Sequence, residues 1–142
     1  MTNELPFSVT QLGKPLLSDK YTWDPIERLF STQEVFIVID AYGQEGITFT
    51  TNEACTFVTG DRCVFFTKDN CTFITDSFCR FITGKNCVFK SLFYCTFLTG
   101  RNCIFLTGSN CKFIAEEDCE YLIGSNCCIE VENPIEIRKK II

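Results

Sequence analysis

Apolar and polar positions alternate along most of this chain, and from residue 55 the alternation repeats every eight residues. The blocks read CTFVTGDR, CVFFTKDN, CTFITDSF, CRFITGKN, CVFKSLFY, CTFLTGRN, CIFLTGSN, CKFIAEED and CEYLIGSN, with a consensus of C-x-F-x-T-G-x-N. Cys and Phe lie two residues apart, so they share one face of an extended strand. The fifth slot is mostly Thr. Gly and Asn follow it in the sixth and eighth slots, and both tolerate positive φ, so G-x-N reads as a turn. Each octad is a five-residue strand and a three-residue turn.

A fixed short period marks a repeat architecture. The phase runs beyond the cysteines. Ile47-Thr48-Phe49-Thr50-Thr51-Asn52-Glu53-Ala54 fits an octad with Ile in the Cys slot, and Ile135-Glu136-Ile137 continues it at the other end. The expected fold is all-β: a β-solenoid (β-helix) of about six 16-residue coils, two octads to a coil. In that geometry identical residues stack into ladders, Phe meets Phe between two opposed sheets, and Cys of one strand lies near Thr of the other. A squarer coil of four octads satisfies the same period, and handedness is not encoded in the pattern. The chain divides into a capping segment, 1–46, the octapeptide-repeat solenoid, 47–134, and a C-terminal cap or tail, 135–142.

Residues 1–46 do not repeat. Asp24-Pro25-Ile26-Glu27 has the form of a helix start, with Asp24 as cap and Pro25 at the first helical position. It predicts a short helix over Pro25–Ser31. Val35–Ile39 reads as a buried strand and Tyr42–Gly46 as a turn. A stack of coils has raw backbone edges at both ends, and this segment is expected to blunt the first. At the other end Pro134 and the charges of the tail discourage further pairing, while Ile135, Ile137, Ile141 and Ile142 supply apolar cover.

Composition narrows the function classes. Net charge is −5 with a pI near 4.7, so no general basic field exists for nucleic acid or an anionic membrane. No apolar run approaches the ~20 residues of a membrane span. The first residues, MTNELPFSVTQLGK, lack the basic start and apolar middle of a signal peptide. A soluble, cytoplasmic, non-secreted protein is expected. Eleven cysteines would suit a disulfide scaffold, but the count is odd and the spacing is a strict eight. Strict spacing puts each in one structural slot, so Cys55, Cys63, Cys71, Cys79, Cys87, Cys95, Cys103, Cys111, Cys119 and Cys127 read as a reduced, buried ladder. Cys128 falls out of phase and reads as an exposed, reactive thiol.

Candidate chemistry is sparse. The chain has no histidine, which removes the usual general base and the commonest metal ligand. It has no C-x₂₋₄-C pair for a structural zinc. Glu116, Glu117, Asp118 and Glu120 read as a solvated acidic turn, and the G-G-x-G-x-D calcium repeat is absent. Thr recurs without paired T-x-T motifs, so no ice-binding array is expected. We expect no catalytic residue, no metal, no cofactor and no enzymatic activity.

The octads resemble those of short-repeat β-solenoid proteins, and more narrowly the C-x-F-x-T-G-x-N octapeptide-repeat proteins of large DNA viruses of amoebae and their satellite viruses. The resemblance covers residues 47–134. It implies a viral or protist source and a structural or partner-binding role. A viral source would place the protein in the host cytoplasm, the viral factory or the virion.

Two features stand above a plain scaffold. The fourth slot, which alternation points away from Cys and Phe, is apolar: Phe66, Ile82, Leu98 and Ile114, with Val58, Ile74, Leu106 and Leu122. Either a bend turns it inward, or it forms exposed stripes for self-association into a homo-oligomer. Second, octads 71–78 and 87–94 replace the G-x-N turn, bringing Phe78, Leu92, Phe93 and Tyr94 to one edge of a two-octad coil. These aromatics either pack against the amino-terminal segment or Trp23, or they form a site for a viral or host protein.

Overall fold

The computed structural model describes residues 5–131. The strands are β1 (Ser8–Gln11), β2 (Lys14–Pro15), β3 (Tyr21–Asp24), β4 (Leu29–Thr32), β5 (Ile37–Ala41), β6 (Thr48–Thr50), β7 (Thr56–Thr59) and β8 (Val64–Phe66). They continue as β9 (Thr72–Ile74), β10 (Arg80–Ile82), β11 (Val88–Lys90), β12 (Thr96–Thr99), β13 (Ile104–Leu106), β14 (Lys112–Ala115), β15 (Glu120–Leu122) and β16 (Cys128–Val131). Consecutive repeat strands alternate between two sheets. One has the order β15-β13-β11-β9-β7-β5-β1-β2 and is called the odd sheet below; the other, β16-β14-β12-β10-β8-β6-β4-β3, is the even sheet.

The fold is a β-solenoid with two octads per coil. From β6 and β7 onward every pairing is parallel and in register at sixteen residues, as in Phe57 opposite Phe73 and Phe81 opposite Phe97. Strands β4 and β5, within the non-repeating segment, already pair in parallel with β6 and β7. Beyond them the pairing turns antiparallel, β1 with β5 and β2 on one sheet and β3 with β4 on the other. Parallel coils offer an edge that another coil would extend. The antiparallel hairpins end it.

The core is a double aromatic ladder. Phe57, Phe73, Phe89, Phe105 and Tyr121 stack along the odd sheet, and Phe49, Phe65, Phe81, Phe97 and Phe113 along the even one. Rings of one ladder are nearly coplanar in orientation, for example 4.7 Å apart and 1° for Phe81 and Phe97. Across the sheets they meet edge to face, as at 5.1 Å and 78° for Phe81 and Phe89. Both arrangements suit the ring quadrupole, and the repeat satisfies them at every level. Cys lines the ends of this core, and its sulfurs hydrogen-bond to corner carbonyls, such as Cys79 Sγ to Gly60 O at 3.4 Å. The expected neighbourhood of Cys and Thr is present, with the Thr59 hydroxyl against Cys63 and the Thr75 hydroxyl against Cys79.

Three local expectations are corrected. Pro25–Ser31 is not a helix. Asp24 Oδ1 does accept from Ile26 N at 2.9 Å and Glu27 N at 3.1 Å, but the chain then turns back as the β3–β4 hairpin. Tertiary pairing of Leu29–Ser31 with β6 outweighs the capping signal. The short helix of the cap is a single 3-10 turn at Ser18–Lys20. The Val35–Ile39 strand begins two residues later, at Ile37, because Phe36 sits at φ 57°.

Finally, the glycines of the octad turns do not supply positive φ. That conformation belongs to the eighth slot, with Asn86 at φ 60° and Asn102 at 57°. The glycines are there because adjacent corners stack too closely for a side chain. A Cβ on Gly100 would lie 2.9 Å from Lys85 N and 3.0 Å from Gly84 C. The C-terminal Ile residues of the tail lie outside the described residues.

Candidate functional site

The outer faces are where the chain departs from its own repeat. With Cys and Phe turned inward, the second and fourth slots point outward. Phe66, Ile82 and Leu98 form an uninterrupted stripe on the even sheet, each about 40–41% exposed, with Ile114 half-buried beyond them. On the odd sheet Val58, Ile74, Lys90, Leu106 and Leu122 occupy the same column. The fourth slot therefore faces out, and no bend tucks it inward.

The second slot adds to the odd face. Val88 and Ile104 are exposed there, beside Lys90 and Leu106. Sequence reasoning missed them because the slot looks mixed when read octad by octad. Sorted by alternate octads it separates: the odd sheet carries Thr56, Thr72, Val88, Ile104 and Glu120, and the even sheet carries Val64, Arg80, Thr96, Lys112 and Cys128.

The aromatic corner joins this face. Phe78 and Tyr94 stack at 5.2 Å and 3°, with the Arg62 guanidinium 5.1 Å from the Phe78 ring centre on its other side. Phe93 lies over Gly108, where a Cβ would come within 2.8 Å of its ring. Phe78, Leu92, Phe93 and Tyr94 are each about half exposed. They do not pack on Trp23, which is buried at the far cap against Phe7, 5.3 Å away, with Arg28 over its ring.

The backbone of this corner is regular despite its sequence. Phe78 N donates to Phe93 O and Tyr94 N to Ser109 O, as Arg62 N does to Ser77 O. Ser77 bridges the levels, donating its N–H to Asp61 Oδ1 and accepting from Phe93 N. Only the side chains have changed. Phe78 and Tyr94 hold φ of 61° and 58°, where a bulky residue is strained and Asn is the usual choice of this repeat. Backbone strain of this kind tends to persist where the side chain has a use.

A groove of about 430 Å³ runs between the corner and the odd face. Ile74, Lys90 and Leu106 form one wall, and Asp76, Leu92 and Gly108 form the other. Between them Ser91 replaces the Thr of other octads, buried and with its hydroxyl making no hydrogen bond among the described residues. Lys90 and Asp76 line one groove, yet neither belongs to the ion pair seen among the described residues, Arg62 with Glu45 at 3.7 Å.

The cysteines are all unbridged. Nine are buried, Cys127 is half-buried and Cys128 is exposed beside Lys112 in register. Burial pushes the Cys63 thiol up. Neighbouring thiols hydrogen-bond along each column: Cys55 and Cys87 hold Cys71 down, and Cys55 is pushed up by the same contact and by burial. For a column taken whole the direction is up, because burial acts on every member and the donors gain what the acceptors lose. Among the described residues no three Cys, Asp or Glu side chains converge as a metal site, and no helix is long and apolar enough to cross a membrane.

Fold and site together define a capped β-solenoid with an apolar, aromatic-edged outer surface. In comparisons with known proteins, the chain matches no family model, no curated protein and no solved structure.

Proposed function

We propose that this chain is a non-enzymatic structural scaffold that associates with copies of itself through the outward apolar surface of its sheets. One observation carries this reading: apolar side chains occupy outward slots on both sheets although the interior is already filled by the Phe and Cys ladders. Contiguous apolar surface of that kind marks an interface. The resemblance of the octads to those of large DNA viruses of amoebae favours a role in a viral particle or its cytoplasmic assembly site. The test is absolute mass by light scattering on a sizing column, under reducing conditions and across concentration. A discrete dimer or trimer is expected. A monomer at every concentration overturns the reading.

A second reading is favoured by the corner itself. Phe78, Leu92, Phe93 and Tyr94 would bind a viral or host protein, with the strained φ at Phe78 and Tyr94 retained for that contact. Replacing Phe93 and Tyr94 by Ser separates the readings. A folded variant of unchanged mass that loses a partner supports this reading, and an unfolded one removes it.

A further inference from the structure

We infer that the second copy docks on the odd sheet and its aromatic corner, the two rods antiparallel about a two-fold axis that passes midway between β9 and β11. This rests on the self-association reading above and names its geometry.

The odd face is flat. Rings stacked along the inner ladders differ by only 1° to 14° in orientation, so successive coils are hardly rotated. Ordinary sheets twist by roughly 20° per strand. A flat face with side chains repeating every ~4.8 Å is matched along its length only by another flat face of the same repeat. A second copy supplies one.

Charge selects the register of the two copies. A two-fold axis along the strand direction keeps position within the strand and reverses the order of coils. Set midway between β9 and β11, it exchanges these two levels. Lys90 of one copy then faces Ile74 of the other, beside Asp76, and the contact occurs twice. Both residues line the same groove, and neither has an ion-pair partner among the described residues. Phe78 comes opposite Tyr94, so the two octads that depart from the consensus face each other. Other placements fare worse. An axis through β11, or one running along the rod over this column, sets Lys90 against Lys90. The even face carries Arg80 and Lys112 in its second slot, and its outward anions, Asp24 and Glu130, lie at its two ends.

The face is also broad. Six parallel strands, β5 to β15, at ~4.8 Å spacing and ~13 Å long give a flat footprint of roughly 380 Å². Side-chain relief and the corner add accessible area to this footprint, toward the ~800 Å² per copy of a standard stable interface.

A charge exchange tests the geometry in the full chain. Wild type, Lys90→Glu, Asp76→Lys and the double exchange are compared by sedimentation equilibrium, with circular dichroism to confirm the fold and Leu98→Arg as an even-face control. Each single exchange is expected to weaken the dimer by about tenfold or more, the double exchange to restore it to within about threefold, and Leu98→Arg to leave it unchanged. If both single exchanges leave the constant unchanged, or the double exchange fails to restore it, the proposed register is wrong. Dissociation by Leu98→Arg instead would assign self-association to the even sheet. A wild type that stays monomeric to about 100 µM, a weak affinity by any standard, would instead remove the self-association reading on which this one rests.

Discussion

Two phenylalanines, chemically alike and in neighbouring octads, are expected to respond very differently to truncation. Phe81 is 1% exposed and touches four other rings: Phe65, Phe73, Phe89 and Phe97, all between 4.7 and 5.2 Å away. Phe81→Ala removes a rung from the middle of both ladders and leaves a cavity that flanking backbone cannot close. Such changes cost ~3–5 kcal/mol. Phe93 is 48% exposed, so about half of its ring is already in water. Burial of the remaining ~100 Å² is worth at most ~2.5 kcal/mol at ~25 cal/mol per Å², and solvent fills the space without a cavity. Phe93→Ala should cost about 1–2 kcal/mol. Urea unfolding followed by circular dichroism measures both, and a difference of ~1–4 kcal/mol is expected. In thermal unfolding Phe81→Ala should lower Tm by roughly 10 °C and Phe93→Ala by roughly 3–5 °C. Equal losses at the two sites would refute the reasoning, because the corner would then be part of what holds the rod together. It would no longer be a surface kept for contact.

Other predictions follow from the corners and the thiols. Gly100→Ala places a Cβ 2.9 Å from the Lys85 backbone nitrogen, so the coils must part; a loss of ~1–3 kcal/mol in urea unfolding is expected, and a neutral result would show that the corners have slack. Asn86 sits at φ 60°, so Asn86→Ala should cost about 1 kcal/mol while Asn86→Gly is nearly neutral; equal effects would deny that left-handed backbone is what the eighth slot selects. In the native state a thiol reagent should label Cys128 at once and Cys127 slowly, and the nine buried thiols only on denaturation. Burial holds Cys63 above the ordinary thiol value, so the folded state keeps that proton longer than the unfolded chain. Stability is then full below the unfolded thiol pKa of ~8.5 and falls as pH rises from there through the folded pKa. The urea midpoint should drop between about pH 8 and pH 10, and a midpoint that rises there would contradict the buried column.

Much of the solenoid was legible in the octads. Cys and Phe two residues apart must share a face, and a strict period must stack like on like, so Phe over Phe follows from the repeat alone, and the two-octad coil makes it Phe57 over Phe73. Where the period is absent, the reading fared less well. Asp24-Pro25 carries the local chemistry of a helix start, and Asp24 does cap the following amides, but the chain closes into a hairpin. Capping is worth only ~1 kcal/mol, less than a strand gains by completing a sheet over an open core. The turn glycines show the same limit. Gly in G-x-N suggests positive φ, yet the reason for it is a neighbour sixteen residues away, which local sequence does not display.

The candidate site divides along the same line. The octads by themselves determined the ladders, the outward direction of alternate slots and the sixteen-residue spacing of the two aberrant turns, because a repeat converts position in sequence into position in space. Only the tertiary structure decided that a coil holds two octads and not four. That choice sorts Val88, Ile104, Lys90 and Leu106 onto one face and sets Phe78 and Tyr94 ring on ring, far from Trp23. It rests on how the Phe ladders interlock across the core, edge to face at 5.1 to 5.2 Å, a fit between distant residues that no single octad contains.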